Sequence, residues 1–331
     1  MCTDKARPTI SVVMATCNGA RFLQQQLDSI AAQSMLPDEL IVGDDLSSDA
    51  TATIIHEFAR RNPRIDVRLE TNEQRLGSTA NFEAAVCRCR GDIVVFADQD
   101  DEWLPQRIER LTSALANDSQ AAYAFSDGVL MDGAGQTISG SLFSAIDFSW
   151  HERDRFSRGR ALRVLMRRNV VTGATLAVRR SALHALLPFE PGWIHDYYIA
   201  IALATLAHGV LVDEPLIRYR LHGGQQIGVA RASFAAALAY ARKQDEAQCL
   251  AEAEKFENIG RRLVAWEVPA SHEVFMLLRA KAEFNRMRAR MRARPVSAPL
   301  LTVRALLGNS YRNYSLGWKQ VVVDLLAVAV A

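Results

Sequence analysis

The sequence contains no long apolar run. Its 331 residues include no stretch of about 18 uninterrupted apolar residues, which is the length that a membrane-spanning helix requires. The first residues, Met1 to Pro8, lack the apolar segment of a secretory leader. We therefore expect neither export nor a membrane span, and the predicted location is cytoplasmic.

Cysteine is scarce and the net charge is small. The five cysteines, at positions 2, 17, 87, 89 and 249, are odd in number and include no Cys-x-x-Cys pair, which is typical of neither a disulfide framework nor a zinc site. A formal net charge of only +2, without a recognisable nucleic-acid-binding module, predicts no nucleic-acid partner. With 49% hydrophobic residues, the chain can bury a large core.

Strand and helix signals alternate along the first 130 residues. Four apolar strands are predicted at Thr9–Thr16, Leu40–Gly43, Ile65–Leu69 and Ile93–Phe96, with helical stretches beginning near Ala20, Thr51 and Ser78. This order predicts an α/β fold with a doubly wound, mainly parallel sheet flanked by helices. No Gly-x-Gly-x-x-Gly motif follows the first strand, which disfavours a nicotinamide-binding domain.

The fourth strand ends in a cluster of acids. Asp98 and Asp100 are spaced i, i+2, which in an extended chain puts both side chains on the same side. They follow a buried strand, and the carboxyl end of such a strand is where open α/β sheets bind ligands. The pair can hold one Mg²⁺ or Mn²⁺ that also contacts phosphate oxygens. Alternatively, these acids cap the helix that Pro105 opens.

Seven short segments within residues 9–228 form an ordered set. They are Ser11–Gly19, Gly43–Asp49, Gly77–Phe82, Asp98–Trp103, Thr172–Thr175, His195–Tyr198 and Tyr219–Gly223. In this order they resemble the inverting, nucleotide-sugar-dependent glycosyltransferases of family 2, which have a GT-A fold, and in particular the bacterial rhamnosyltransferase-like subgroup. The resemblance implies a catalytic domain over residues 1–228, followed by a helical region over 229–331.

The resemblance also implies a nucleotide pocket for a dTDP- or UDP-sugar. Thr16, Asn18 and Asn81 would line it, and Asp45 would accept a hydrogen bond from the pyrimidine N–H. Asp98 would bind the ribose or support the metal shell. From the residues alone, Asp44 and Asp45 could instead be loop acids that cap the next helix. Many family members place an aromatic residue where this sequence has Cys17.

A divalent cation and a general base are implied in the same way. Asp100 resembles the direct ligand of Mg²⁺ or Mn²⁺, and His222 resembles a residue that reaches the metal or the diphosphate in some relatives. Asp196 would be the base that takes the proton of the acceptor hydroxyl, and His195 would position its loop. Alternatively, Asp196 is the N-cap of an apolar helix, and His222 is a satisfied polar group.

The remaining regions are described by composition. Glycines between Asp132 and Arg160 predict a long, partly mobile loop. Beyond residue 229, helices are predicted at Ala235–Ala253 and Val274–Arg294. Between Arg279 and Arg294 the sequence contains seven basic residues and one acid, Glu283. A basic helix face of this kind suits an anionic membrane surface, and the alternative is a solvated helix face.

The expected function is transfer of a sugar, with rhamnose suggested by the subgroup, to a hydroxyl of a saccharide or lipid-linked glycan. This would serve cell-surface polysaccharide synthesis at the inner face of the membrane. One alternative is a catalytically silent module that binds glycan in a biosynthetic complex. The other alternative is a phosphotransfer enzyme with an Asp-x-Asp nucleophile, although such an enzyme would place its acids after the first strand.

Overall fold

The computed structural model describes residues 7–223, 234–266 and 270–328. Within these ranges nine strands form one sheet: β1 (Ile10–Thr16), β2 (Glu39–Asp44), β3 (Asp66–Thr71), β4 (Ile93–Ala97), β5 (Glu102–Trp103), β6 (Ala121–Asp132), β7 (Thr137–Ser141), β8 (Leu176–Arg179) and β9 (His208–Leu221). The predicted boundary at 228/229 and the residues before Arg7 lie outside the described part of the chain.

The α-helices in the same ranges fall into two groups. The first group is α1 (Ala20–Ala31), α2 (Thr51–Arg61), α3 (Ser78–Cys87), α4 (Arg107–Asn117), α5 (Leu142–Ala145), α6 (Trp150–Arg155), α7 (Ala161–Leu165), α8 (Arg180–His184) and α9 (His195–Leu206). The second group follows the sheet and comprises α10 (Phe234–Lys243), α11 (Glu246–Ala265), α12 (His272–Ala293), α13 (Ala298–Leu307), α14 (Ser310–Tyr314) and α15 (Trp318–Val328).

The sheet has a parallel half and a mixed half. Its order is β3-β2-β1-β4-β8-β6-β9-β5, with β7 paired to β6. The first four strands of this order pair in parallel, whereas β8 runs antiparallel between β4 and β6. β9 then lies parallel to β6 along most of its length. The expected α/β fold is confirmed, and the antiparallel β8 is what separates the two halves.

Alternating side chains place an apolar layer on each face of the sheet. Val12 and Met14 of β1 pack in the layer that contains α1, α2 and α4. Val13 packs in the other layer, which contains α3, α9 and α11. The period of two along the strands therefore buries both faces, as the continuous apolar runs of the sequence predict.

The parallel register brings the ends of three strands to one edge of the sheet. Thr16 at the end of β1 is paired with Asp44, and Met14 is paired with Ala97. The residues that follow β1, β2 and β4 therefore leave the sheet side by side. Cys17, Asp45 and Asp98 occupy these positions, which is where a doubly wound sheet forms its ligand crevice.

The segment between Asp132 and Arg160 differs from the predicted mobile loop. It contains β7, α5, α6 and a short π-helical turn at Phe156–Arg160. Ser141 and Ser149 each cap a helix in a capping box, and Phe148 and Phe156 are buried. The prediction of one long loop was wrong because Gly135, Gly140 and Gly159 each provide a single residue of positive φ between short elements of secondary structure.

Two predictions for the helical region also need correction. The predicted helix Ala235–Ala253 is two helices, because Asp245 caps a new one by accepting from the Gln248 N–H at 2.8 Å. The predicted basic face of Arg279–Arg294 is not a single exposed face of α12. Lys281 is buried and donates to the Tyr314 carbonyl at 2.7 Å. Arg288 and Arg292 pair with the buried carboxylate of Asp324.

None of the helices in the described ranges has both the length and the apolar composition needed to cross a bilayer.

Candidate active site

A cavity of about 800 Å³ opens at the carboxyl edge of the sheet. Its wall includes six of the residues predicted from the sequence: Thr16, Asp45, Asn81, Asp98, Asp100 and Asp196. These residues come from five different segments of the chain, so tertiary folding assembles the site. Asn18 and His222 are not in the wall, although His222 contacts a residue that is.

Asp45 is a buried acceptor at the end of β2. Its Oδ1 accepts from the Leu76 N–H at 2.7 Å and from Asn72 Nδ2 at 3.1 Å, and its Oδ2 accepts from the Gly77 N–H at 3.0 Å. Burial alone would raise the pKa of Asp45, but these hydrogen bonds hold it below its ordinary value. Asp45 therefore presents an ionised carboxylate to the cavity, with acceptor capacity left on Oδ2.

Thr16 and Asn18 are held by the loop that follows β2. The Thr16 hydroxyl donates to Asp44 Oδ1 at 2.7 Å. Asn18 has φ near 49°, and its Oδ1 accepts from the Ser48 N–H at 2.9 Å while its own N–H donates to Ser47 Oγ at 2.8 Å. The Asn18 side chain is thus used to join two loops, and the predicted nucleotide contact by this side chain stays a prediction.

Asn81 packs against the backbone of β2. Its Nδ2 donates to the Gly43 carbonyl at 2.7 Å, and its Oδ1 accepts from Asn72 Nδ2 at 3.0 Å. A Cβ at position 43 would lie 2.2 Å from Asn81 Oδ1, so glycine is required there. Asn81 therefore connects the Asp45 loop to the start of α3.

Three carboxylates after β4 lie close enough to share one cation. Ligand oxygens of Asp98, Asp100 and Asp101 are all within 4.8 Å of one another. Asp100 Oδ2 is 2.8 Å from His222 Nε2. Asp101 Oδ1 accepts from the Arg220 N–H at 2.9 Å, whereas its buried Oδ2 has no hydrogen-bond partner among the described residues. Clustered carboxylate oxygens, one of them buried and unpartnered, fit a hard divalent cation.

Without a cation, this cluster would hold protons. Burial, followed by the charges of Asp100 and Asp196, raises the pKa of Asp98 to about 7. Burial, followed by the charges of Asp100 and Asp98, raises the pKa of Asp101 well above its ordinary range. A bound divalent cation reverses this balance because it favours the ionised forms.

Arg107 lies buried beside the carboxylates and was missed in the sequence. It donates from Nη2 to the Phe96 carbonyl at 3.0 Å, and its guanidinium lies 4.0 Å from the centre of the Trp103 ring. Burial lowers the pKa of Arg107 to about 9, while Asp101 and Asp98 oppose that shift. Arginine on an amphipathic helix is normally exposed, so no sequence signal identified this residue as a counter-charge.

At pH 8, where Asp98 is largely ionised, Arg107→Met is expected to lower the free energy of unfolding by roughly 3 kcal/mol, because it leaves this carboxylate without its counter-charge. Urea unfolding would measure the change. The matched control is Arg110→Met on the same helix, where the side chain is exposed and pairs with Glu214. We expect a change within about 0.5 kcal/mol for the control. Equal losses in both variants would contradict the proposed electrostatic role of Arg107.

Asp196 lines the cavity from the first turn of α9. Its Oδ1 accepts from Asn169 Nδ2 at 3.0 Å, and its Oδ2 accepts from the Gly173 N–H at 2.9 Å. Burial raises the pKa of Asp196 to about 6, although these hydrogen bonds act in the opposite direction. A carboxylate with this pKa is largely ionised at neutral pH and is a stronger base than an exposed aspartate. Asn169 was not identified in the sequence.

His195 supports this loop and is itself a poor base. Its ring is buried between Phe82 and Phe96, with centroid distances of 4.2 and 5.7 Å. Burial lowers the pKa of His195 to about 3, so its imidazole stays neutral at physiological pH. A Cβ at Gly173 would lie 2.6 Å from His195 Nε2, so the close approach needs glycine. Of the two neighbours, Asp196 is the stronger candidate for proton transfer.

The helical region contributes to the wall of the cavity. Leu316, between α14 and α15, lines the wall together with Asp147 and Arg168. Lys319 lies 3.8 Å from Asp147, and Arg168 donates to the Asp147 carbonyl at 2.6 Å. This part of the wall is therefore built from segments that are more than 140 residues apart. No pattern in the sequence indicated this contribution.

Comparison with known proteins gives one family match and several relatives. The family model described as Glycosyl transferase family 2 matches residues 11–187. An uncharacterized glycosyltransferase of Nostoc sp. is 27% identical over 222 residues, which is 65% of this chain and 65% of that protein. The dTDP-rhamnosyl transferase RfbG of Shigella flexneri is 24% identical over 235 residues, covering 67% and 76% of the two chains. The chain spans 59 to 65% of the length of several curated relatives, including the Nostoc protein.

A solved structure shares the fold. A mannosyltransferase from Pyrobaculum calidifontis, in complex with GDP-Man and Mn²⁺, has a TM-score of 0.54 and 21% sequence identity. The match covers 98% of this chain and 87% of the other. At this identity the likeness concerns the fold, and it extends across the sheet and the helices that follow it.

Proposed function

The chain belongs to glycosyl transferase family 2, and from this premise we propose that it is an inverting glycosyltransferase using a nucleoside diphosphate-sugar. One observation carries the proposal. A partly buried carboxylate suited to be a base, Asp196, lines the same cavity as the carboxylates Asp98 and Asp100. Inversion needs a base on the acceptor side and charge stabilisation on the leaving-group side, and a single cavity with both sets of groups can provide them.

Asp196 is proposed as the general base. The bonds from Asn169 and Gly173 fix the carboxylate while leaving lone pairs for an acceptor hydroxyl. As the hydroxyl oxygen attacks the anomeric carbon, the proton passes to Asp196 and the bond from that carbon to the diphosphate oxygen breaks. The sugar is transferred in one displacement, without a covalent sugar–enzyme intermediate.

Asp98, Asp100 and Asp101 are proposed to hold Mg²⁺ or Mn²⁺, with His222 orienting Asp100 or joining the ligands. When bound, such a cation stabilises the negative charge of the departing nucleoside diphosphate. The chain supplies the buried guanidinium of Arg107 beneath the cluster, and Arg75 in the cavity wall adds a further positive charge near the donor.

The proposed donor is a dTDP- or UDP-sugar. Asp45 is held ionised and can only accept hydrogen bonds, which matches the N3–H of uracil or thymine. Thr16, Asn18, Asn81 and Asp98 are proposed to complete the nucleotide site. The Shigella relative is a dTDP-rhamnosyl transferase, which supports rhamnose as the transferred sugar.

The proposed acceptor is a hydroxyl of a saccharide or lipid-linked glycan in O-antigen, capsule or exopolysaccharide synthesis. Residues 1–228 would form the catalytic domain and residues 229–331 an accessory helical region, whose Leu316 lines the cavity wall. We place the enzyme in the cytoplasm, at the inner face of the plasma membrane.

Thermal unfolding of the purified protein with nucleotides tests the donor site. UDP or dTDP with Mn²⁺ is expected to raise the melting temperature, because a ligand that binds only the folded state stabilises it. CDP is the matched control, since its ring N3 carries no hydrogen for Asp45 to accept. A shift of equal size with CDP would contradict the role of Asp45. No shift with any nucleotide would contradict the donor site and favour a catalytically silent module.

A further inference from the structure

The outer face of α13 is apolar and uncovered by the described part of the chain. Leu300, Val303 and Leu307 are exposed to 75%, 54% and 81%. Their spacing of three and four residues puts them on one side of the helix. The opposite side, formed by Ala298, Thr302 and Ala305, is buried. We call the exposed side, Leu300, Val303, Arg304 and Leu307, the α13 face.

The exposed charges in the stretch of sequence that contains this face have one sign. Between Phe284 and Val328 the sequence contains a single acid, Asp324. That carboxylate is buried and accepts from Arg288 and Tyr311, so it contributes no exposed negative charge. The exposed charged side chains of this stretch are all cationic: Arg290, Arg294, Arg304, Arg312 and Lys319. Two of these cations lie near exposed acids from outside the stretch, Arg290 near Glu283 and Lys319 near Asp147. An exposed apolar stripe in a stretch whose own exposed charges are cationic is typical of helices that lie in the interface of anionic membranes.

We propose that the α13 face docks on the surface of an anionic lipid bilayer. Leu300, Val303 and Leu307 would enter the headgroup region, where burial of apolar side chains is favourable. Arg304 lies on the same face and is long enough to keep its guanidinium among the lipid phosphates. A second copy of this chain fits the face less well, because symmetric pairing would bring Arg304 against its counterpart.

Docking at α13 would also orient the active-site cavity relative to the membrane. α14 follows α13 directly and leads to Leu316, which lines the active-site cavity. Trp318, the first residue of α15, is 72% exposed, and tryptophan is enriched where proteins meet the membrane interface. This part of the inference rests on the proposed function, because it presents the cavity to a lipid-linked acceptor. The proposed membrane contact is therefore α13 and not α12, whose cations are partly buried.

Vesicle sedimentation of the full chain tests the proposal. We expect the protein to sediment with vesicles of phosphatidylglycerol and phosphatidylcholine and to remain in solution with vesicles of phosphatidylcholine alone. The double variant Leu300→Ser, Leu307→Ser should weaken vesicle binding by at least about tenfold, since it removes two apolar anchors. Arg304→Glu should weaken it on the order of tenfold and make the residue repel lipid phosphate.

Matched controls separate the α13 face from general surface effects. Val264→Ser changes an apolar residue of α11 that is 67% exposed, and Arg60→Glu reverses an exposed charge on α2. Both controls should bind vesicles as the unaltered protein does. The proposal is overturned if the unaltered protein does not bind anionic vesicles, or if the α13 variants bind these vesicles as well as the control variants do. It is equally overturned if the unaltered protein self-associates in solution and the double variant does not.

Nucleotide binding in solution keeps this proposal apart from the proposed enzymatic function. The α13 variants should give the same melting-temperature increase with UDP or dTDP and Mn²⁺ as the unaltered protein, because the α13 face is outside the cavity wall. Loss of vesicle binding with retained nucleotide binding supports docking at α13. Vesicle binding without any nucleotide response would support docking while contradicting the donor site.

Discussion

Asp196→Asn is expected to reduce sugar transfer by roughly 10³-fold while donor binding stays close to that of the unaltered protein. The amide cannot accept the proton of the acceptor hydroxyl at neutral pH. The substitution nevertheless retains the size of the side chain and one oxygen for the Gly173 N–H. Initial rates of transfer, together with nucleotide affinity by calorimetry, would separate the two effects.

The pH profile gives a second measurement of the same residue. Because burial raises the pKa of Asp196 to about 6, kcat/KM should be lost as the pH falls through about 6, where the base becomes protonated. Above that pH the carboxylate is ionised and the activity is present. Residual activity of the Asp196→Asn variant should lack this acidic limb, and a variant with the wild-type profile would remove Asp196 from the role of base.

Two further variants complete this test. Asp196→Glu retains a carboxylate and should recover part of the activity that the asparagine variant loses. Asp66→Asn is the matched control, because Asp66 is an exposed acid at the edge strand β3. It should transfer sugar at the unaltered rate. Full turnover by Asp196→Asn would show that Asp196 is not the base. The alternative role of helix N-cap is wrong, because Ile194 is the N-cap of α9 and Asp196 lies in its first turn.

Asp100→Asn is expected to weaken Mn²⁺-dependent nucleotide binding on the order of 100-fold, since a charged metal ligand contributes several kcal/mol. Asp100 is one of two partly buried members of the carboxylate cluster, and it lies in the cavity wall. The amide keeps the volume of the side chain and can still contact His222. Calorimetric titration with Mn²⁺ and UDP would measure the loss.

The control for this prediction lies in the same cavity. Asp147 is an exposed acid in the cavity wall, outside the carboxylate cluster, and its positive φ of 55° is a conformation that asparagine tolerates. Asp147→Asn should leave Mn²⁺ and UDP binding unchanged. If Asp100→Asn binds both as tightly as this control does, Asp100 is not a metal ligand and the cluster must be reassigned.

Local patterns in the sequence were sufficient for the parallel half of the fold. The four predicted strands match β1 to β4, and the predicted start of α2 at Thr51 is observed. These elements have continuous apolar runs or a clear helical period, and their order leaves few possible topologies. The spacing of Asp98 and Asp100 predicted a pair of carboxylates at the end of a buried strand, and both residues lie there.

Other features required contacts between distant parts of the chain. The Asn169 amide donates a hydrogen bond to Asp196, and Leu316 lines the cavity. These residues are too far apart in the sequence for a helix or strand period to predict the contacts. Arg107 is an arginine on an amphipathic helix, and only the packing of α4 under the carboxylates shows that it is buried. The sequence does not distinguish the basic residues of α12 from one another. In the structure, Arg288 and Arg292 form ion pairs with the buried Asp324 of α15.

The sequence by itself therefore determined the alternation of strands and helices, the family, and the acids that meet at the edge of the sheet. These depend on side-chain periodicity and on short motifs, in which the interacting residues are neighbours. The tertiary structure alone decided which charges are buried, which carboxylate is poised as a base, and which apolar face stays exposed. Burial and ion pairing depend on what packs against a residue, and in this chain the partner frequently comes from a segment more than 25 residues away.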